Sequence, residues 1–531
     1  MSRRLRALAL AAAPLPLLAA AAMAGTAAAQ TVPLVSVPGN VSPALAHSQR
    51  DGAVDATRTM SVSVALKLRN SSELDKFIAD VSNPHSPRHG QFLTPAQFND
   101  RFAPTQSTVD SVSTFLRGQG LSVTKVSDNR QIVTAAGTAA QLQHAFGTSL
   151  SRYTDTAQHR DFFANDSAPK LPADVAAAVQ GVVGLDNHAV KHTNNTKGRK
   201  PNAPSGYNPT QLRRAYDTGS LGTGSGQSVA LWEFDGYQAS NIAQYSKQFS
   251  LNSAAPKTVS VDGASYDSQP GQGQGEVELD IEIVNAMAPA ASTYVYEAPN
   301  SDQGEVDMAS QIASDNKVSV VSISWGSCEP DTTDAAITGT SNGIKQATAE
   351  GISFFSASGD DGSKDCTRSQ TGSSVDAVDY PASDPNVTGV GGTHLTVSGS
   401  SYGSESAWSG SGGGTSTKFD APSWQAGVNG KRTVPDVSSD ADPNSGYAIY
   451  SGGSWQVYGG TSCAAPMWAG FAALYGTKLG AANQALYGLK GTGFHDVTSG
   501  SNGTFKAGQG YDQVTGWGSY DGAKLAAALK G

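Results

Sequence analysis

The chain reads as an α/β protein with a mostly parallel sheet covered by helices on both faces, preceded by a smaller α+β domain. Two observations predict this. From Gly206 onward, short apolar runs alternate with stretches of helical length, the pattern of strands joined by crossover helices. Residues 60–185 instead mix period-two and helical patterns, as a compact α+β domain would. A third observation separates the two. Residues 189–206 (AVKHTNNTKGRKPNAPSG) are polar, basic and rich in Pro, Gly and Asn, the composition of an exposed linker open to proteolysis. At 531 residues the chain is too long for one typical domain, which agrees with two folded units.

The elements follow in order. Arg3, Arg4 and Arg6 precede the apolar run 7–24 and small residues at 26–29, so residues 1–29 read as a secretory signal peptide. No later apolar run could span a bilayer, and the expected product is secreted, extracellular and free of the membrane. Residues 60–68 (MSVSVALKL) alternate like a strand, 71–81 like an amphipathic helix, and 122–133 again like strands. In the second half, 227–234, 319–325 and 352–356 read as buried strands, and 276–287 and 335–350 as helices. The Gly/Ser-rich stretch 398–416 reads as surface connections. There is no basic nucleic-acid patch and no phosphate-binding glycine loop.

Charge and cysteine content narrow the setting. The net charge of −9 hides an asymmetry: residues 31–202 hold 17 Lys+Arg against 13 Asp+Glu, and 203–531 hold 16 against 32. Opposite signs suggest that the first half docks on the second. A second half so poor in bases gains little self-repulsion when its carboxylates are neutralised, which suits acid surroundings. Only Cys328, Cys366 and Cys463 occur, too few for a disulfide scaffold or a four-cysteine zinc site. Cys328 and Cys366 could form one disulfide, and Cys463 reads as a buried filler.

The stretch 459–466 (GGTSCAAP) places Ser462 where a tight turn opens an apolar helix. It is either a close-packing turn or a nucleophile among unpaired backbone N–H groups. A serine nucleophile needs a base. Seven of the nine histidines precede residue 203, and neither His394 nor His495 opens a helix, so a Ser-His-Asp triad is not expected. Carboxylates remain. In 275–282 (GEVELDIE), Glu276 and Asp280 lie one helical turn apart on one face. Glu278 and Glu282 form a second pair, which better fits a solvated helix face. Two acids so placed repel when both are charged, so a shared proton and a raised pKa are expected. Asp360, in SGDDG after the strand 352–356, sits where a parallel sheet gathers its active site. If protonated it could donate to an oxyanion, although turn chemistry alone could also explain it.

Taken together, GEVELDIEIVNAMAP (275–289), SISWGS (322–327), SASGDDG (356–362), VDYPAS (378–383), PDVSSDADP (435–443) and GGTSCAAP (459–466) resemble the sedolisin family of serine-carboxyl peptidases, in particular its kumamolisin-like members. HSPRHGQFLTPAQF (85–98) looks like part of that family's activation propeptide. The resemblance implies a subtilisin-like fold, a propeptide at 30–188, a processing linker at 189–206 and a peptidase domain at 207–531. It implies Ser462 as nucleophile, Glu276 as general base, Asp280 as its orienting partner and Asp360 as the oxyanion acid. Glu233 and Trp325 match positions that extend the carboxylate network, and Asp379 an acid near the specificity pocket. One structural calcium ion is implied near the C-terminus, with Asp496, Val497, Gly508, Gly510 and Asp512 as ligands; the residues alone read as an ordinary Gly/Asp turn. The expected protein is a monomeric, secreted, acid-active endopeptidase that hydrolyses peptide bonds and is held by its own propeptide as inhibitor and chaperone. A tripeptidyl-peptidase of the same family, or a secreted binding module without catalysis, are the alternatives.

Overall fold

In the computed structural model, which describes residues 33–156, 159–367 and 374–530, alternation in the first half becomes an antiparallel sheet. Its strands run in the order Ser122–Val126, Ile132–Thr138, Thr59–Leu66, Val179–Val183. The expected signal peptide, 1–29, lies outside the described residues. Val62, Val64 and Leu66 face a core with Leu116, Leu142 and Phe146 from the helices Gln106–Gly118 and Ala139–Phe146. Local chemistry sets the limits of the second helix. Thr138 and Gln141 form a capping box at its start, and Gly147, at φ 56°, ends it in the left-handed conformation.

In the second half the order is Lys257–Ser260, Ser292–Glu297, Ser228–Glu233, Val320–Ile323, Ser353–Ala357, Val387–Ser398, with Val437–Asp440 also beside the last of these. All these pairs are parallel. Val229 and Leu231 point to one face, into a core with the helices Gln274–Met287 and Thr461–Tyr475. Ala230 and Trp232 point to the other, against Met308, Ile312 and Ile344 of the helices Asp302–Asp315 and Asp334–Ala349. Both faces are therefore apolar, and the strands read as continuous hydrophobic runs. The stretch expected to be only surface connections contains the antiparallel edge strand Ser401–Ala407; its many Ser and Gly residues hid a strand with one exposed side. Among the described residues, no helix is long and apolar enough to cross a membrane.

The first domain lays the free face of its sheet on the helices of the second. Ile132 and Val183 meet Val306, Ala335 and Ala336. Among the described residues, few ion pairs cross the boundary: Lys125–Asp262 at 3.4 Å and Lys345–Asp75 at 2.8 Å, with Lys191 of the linker held by Asp302 and Glu305. Docking, expected from opposite charge, is carried by apolar contact together with buried hydrogen bonds such as Ser63 Oγ to Asp307 and Asn129 Nδ2 to Gln346, each at 2.9 Å. Close approach depends on Gly181, where an added Cβ would lie 2.7 Å from the Cβ of Ala335. Gly181→Val should accordingly destabilise an uncleaved Ser462→Ala precursor by about 1–3 kcal/mol of overpacking strain, read as a lower urea midpoint. An unchanged midpoint would mean that the interface yields.

Candidate active site

The helix Thr461–Tyr475 begins with Ser462 in its first turn, after Gly460 at φ 102°. A side chain at 460 would be strained, and its Cβ would sit 2.3 Å from the Asn194 carbonyl oxygen and 2.6 Å from Asp360 Oδ2. Pro466 lies four residues after Ser462 and has no N–H to give its carbonyl. That carbonyl accepts the Ser324 hydroxyl instead, at 3.3 Å. The helix Gln274–Met287 is buried from Gly275 to Met287, so all four of its acids are withdrawn from water.

Glu276 lies within hydrogen-bonding reach of the Ser462 hydroxyl. In the rotamer present, that hydroxyl donates to the Ser324 carbonyl at 3.3 Å, leaving Glu276 Oε1 without a partner. Behind Glu276, Asp280 Oδ1 accepts from Ser324 Oγ at 2.9 Å. Asp280 is joined to Glu233 carboxyl to carboxyl, which requires a proton between them. Glu233 Oε2 accepts from Trp325 Nε1 at 2.7 Å. Burial pushes Glu276, Asp280 and Glu233 well above the usual carboxylate range, and repulsion within the row adds to it. The structure therefore brings Ser462, Glu276, Asp280, Glu233 and Trp325 into one line. Ser324, a hub that the spacing did not single out, ties the serine helix to the acids.

Glu278 and Glu282 do not form a solvated face. Glu278 accepts from the Gln238 N–H, Asn241 and Gln274, and Glu282 from the Tyr450 N–H at 2.8 Å. Both are fully buried, and they brace neighbouring segments against the helix. A run of alternating acids cannot itself tell a wet face from one covered by donors.

The expected exposed linker is only half exposed. Residues 197–200 are open to solvent, but Lys191 and Asn194 are buried. The segment crosses the cleft as two short strands. His192 and Thr193 pair antiparallel with Gly326 and Trp325, and Thr196 and Lys197 with Gly459 and Tyr458. Between them, the Asn194 carbonyl accepts the Ser462 N–H at 2.9 Å, and the Asn195 amide donates to Glu276 Oε2 at 2.5 Å. A polar stretch without apolar period is ordered here because the cleft supplies its partners.

Asp360 sits at the same helix start. Its Oδ1 accepts the Thr461 N–H at 2.7 Å and the Thr461 hydroxyl at 2.9 Å, and its Oδ2 the Thr196 hydroxyl at 3.1 Å. Asp379, in a strand paired with Trp325–Cys328, accepts from Asn194 Nδ2 at 2.8 Å, and burial pushes it up to about 7. Cys328 and Cys366 are disulfide-bonded beside it, and Cys463 is free and buried. Near the C-terminus, Asp496 accepts the Gly510 N–H at 3.0 Å and Asp512 Oδ2 the Gly508 N–H at 2.9 Å. Both carboxylates thus meet one loop, with Val497 buried next to Asp496.

Known proteins resemble this chain over most of its length. Residues 46–188 match the family described as Pro-kumamolisin, activation domain, and residues 263–518 match the Subtilase family. Sedolisin from Pseudomonas sp. (strain 101) is 33% identical over 90% of this chain and 88% of its own length. Kumamolisin from Bacillus sp. (strain MN-32) is 32% identical over 90% of this chain and 93% of its own. The solved Pseudomonas sedolisin, a serine-carboxyl proteinase complexed with two molecules of pseudo-iodotyrostatin, superposes with a TM-score of 0.57 at 32% identity. It covers 62% of this chain and 99% of that one.

The buried acids carry a consequence for stability. Beyond the site, burial pushes Glu305 up to about 7, and Glu297 and Glu350 up to about 8. A carboxyl whose pKa is raised on folding binds its proton more tightly in the folded chain. Its contribution is complete below the unfolded value and is lost as pH rises through the folded one. His188, whose pKa is pulled down by burial, opposes this but is outnumbered. The melting temperature of the Ser462→Ala precursor should therefore fall between about pH 4 and about pH 8; a rise across that range in a thermal scan would contradict the assignment.

Proposed function

The chain belongs to the sedolisin family of serine-carboxyl peptidases and carries an activation domain ahead of its peptidase domain, and from this we propose a secreted endopeptidase, made as a self-processing precursor and active in acid. The observation that carries the reading is a peptide strand laid across Ser462, with one carbonyl on the Ser462 N–H and Glu276 alongside. Ser462 attacks the peptide carbonyl and Glu276 takes its proton. The acyl-enzyme is then opened by water. Negative charge developing on the carbonyl oxygen is met by the Ser462 N–H and by Asp360, kept protonated. Asp280 and Glu233 share a proton, which lowers the repulsion that Glu276 meets when it ionises.

The acid optimum follows from the same row. The Asn195 amide, or water in its place, donates to Glu276 Oε2 and favours its ionised form. Asp280 and Glu233 stay dry behind it. Glu276 ionised and Asp360 neutral must coexist, which is possible only in acid. An endopeptidase is favoured over a tripeptidyl-peptidase because, counting back from Asn194, whose carbonyl meets the Ser462 N–H, the cleft continues past the third residue. Lys191, the fourth, is held with its side chain fully enclosed.

We further propose one calcium ion at the loop near the C-terminus. Asp496 and Asp512 would hold it, with backbone carbonyls of Val497, Gly508 and Gly510, an all-oxygen donor set suited to this cation. It would stiffen that loop.

Two measurements test these readings. Incubated at about pH 4, the precursor should shorten itself, whereas at about pH 7 it should not. Ser462→Ala should stay intact at both, and hydrolysis of a peptide library should peak between roughly pH 3 and 5. A peak near pH 8, or shortening that survives loss of the serine, rules the reading out. Chelation should lower the melting temperature of the Ser462→Ala precursor and added calcium should restore it; no shift would remove the ion from the account.

A further inference from the structure

Resting on the peptidase reading above, we propose that the bond opened on activation is Asn194–Asn195, and that Asp302 and Glu305 select it by capturing Lys191. Eighteen residues of polar linker offer many bonds of similar composition. The cleft, however, grips this stretch in a single register. Before the bond, the Lys191 N–H donates to Asn300 Oδ1 at 2.7 Å and its carbonyl accepts from Asn300 Nδ2 at 2.8 Å. His192 and Thr193 then pair with Gly326 and Trp325, and the Asn194 N–H donates to the Ser324 carbonyl at 3.1 Å. After the bond, Thr196 and Lys197 pair with Gly459 and Tyr458, and the Gly198 N–H donates to Val457 at 2.9 Å. Pinned on both sides in this way, the segment brings the Asn194 carbonyl to the Ser462 N–H.

Side chains fix the register as firmly as the backbone. The Lys191 ammonium is fully enclosed, 2.9 Å from Asp302 and 2.9 Å from Glu305, with Ser327 Oγ at 3.4 Å. A buried cation is tolerated only where such partners meet it. Asn194 gives its amide to Asp379, and Asn195 gives its own to Glu276. A slip of one residue would turn every side chain to the opposite face of the strand, and a slip of two would leave both carboxylates unpaired. The residues before the bond therefore enter carboxylate-lined subsites. These take a cationic side chain four residues before the cut and an amide donor next to it, so the same pockets favour basic, amide-bearing peptides as external substrates.

In the proposed step, Ser462 Oγ bonds to the Asn194 carbonyl carbon as the bond from that carbon to the Asn195 nitrogen breaks. The serine proton passes through Glu276 to the leaving Asn195 amine. One water then hydrolyses the ester, freeing the Asn194 carboxylate and restoring Ser462.

The test maps the first cut. Full-length precursor is held at about pH 4, quenched at intervals, and its earliest fragments are weighed and sequenced beside Ser462→Ala. A fragment ending at Asn194 and another beginning at Asn195 are expected. A first serine-dependent cut at any other bond overturns the proposal and leaves the peptidase reading standing. Absence of any serine-dependent cut, together with no hydrolysis of casein, overturns both. The role of Lys191 is read on synthetic peptides spanning residues 188–199, which avoids any folding defect. With the mature enzyme, Lys191→Met in the peptide should lower kcat/KM by roughly tenfold or more. The Asp302→Asn enzyme should lose most of that preference, and equal rates for the two peptides would dismiss the anchor.

Discussion

Burial of three carboxyl groups in a row is the constraint on which this molecule turns. Glu276, Asp280 and Glu233 have no accessible surface, and three negative charges at such spacing in a dry interior cannot coexist. Protons must stay among them. A histidine in the position of Glu276 would need no such arrangement, since it takes up a proton to become a cation beside an acid. Here the base is an acid itself, and its neighbours must be kept neutral for it to carry the charge. The proposed acid activity comes from that condition, and the expected stabilisation of the fold in acid from buried acids both in the row and beyond it.

The same acids explain why the linker lies where it does. Carboxyls line the cleft from Asp302 and Glu305 through Asp379 to Glu276. Amides, an ammonium and hydroxyls from Lys191, Asn194, Asn195 and Thr196 answer them. The arrangement is strand addition, in which backbone bonds supply attachment and alternate side chains supply selectivity. It also covers the base: the Asn195 amide occupies Glu276 while the segment is in place. An activation domain resting on apolar contact with Val306 and Ala335 can hold this strand steady without contributing chemistry of its own.

Much of this was legible in the residues. Period-two and helical patterns located the strands and helices of both halves, because each element buries one or both faces and its sequence records that. Glu276 and Asp280 were legible as a pair because four residues make one helical turn. The absence of a suitably placed histidine directed attention to them. Ser462 stood out because a glycine pair, a serine and a run of small residues is what a tight helix start requires. The fate of Glu278 and Glu282 was not legible, since, Gln274 apart, donors such as Gln238, Asn241 and Tyr450 lie far away in the chain. Nor was the edge strand Ser401–Ala407, whose composition matches that of a loop.

Composition and spacing were enough for the class of fold, and they offered Ser462 and two pairs of acids as candidates. Those features depend on contacts between residues close in sequence, where geometry follows from the helical or extended repeat alone. Long-range contact was needed to learn which acids face the serine, that Ser324 joins them, and that residues 191–197 form a strand rather than a tether. Such features depend on groups more than forty residues apart supplying each other's missing hydrogen bonds. No local pattern encodes that, because a polar side chain looks the same in sequence whether water or protein satisfies it.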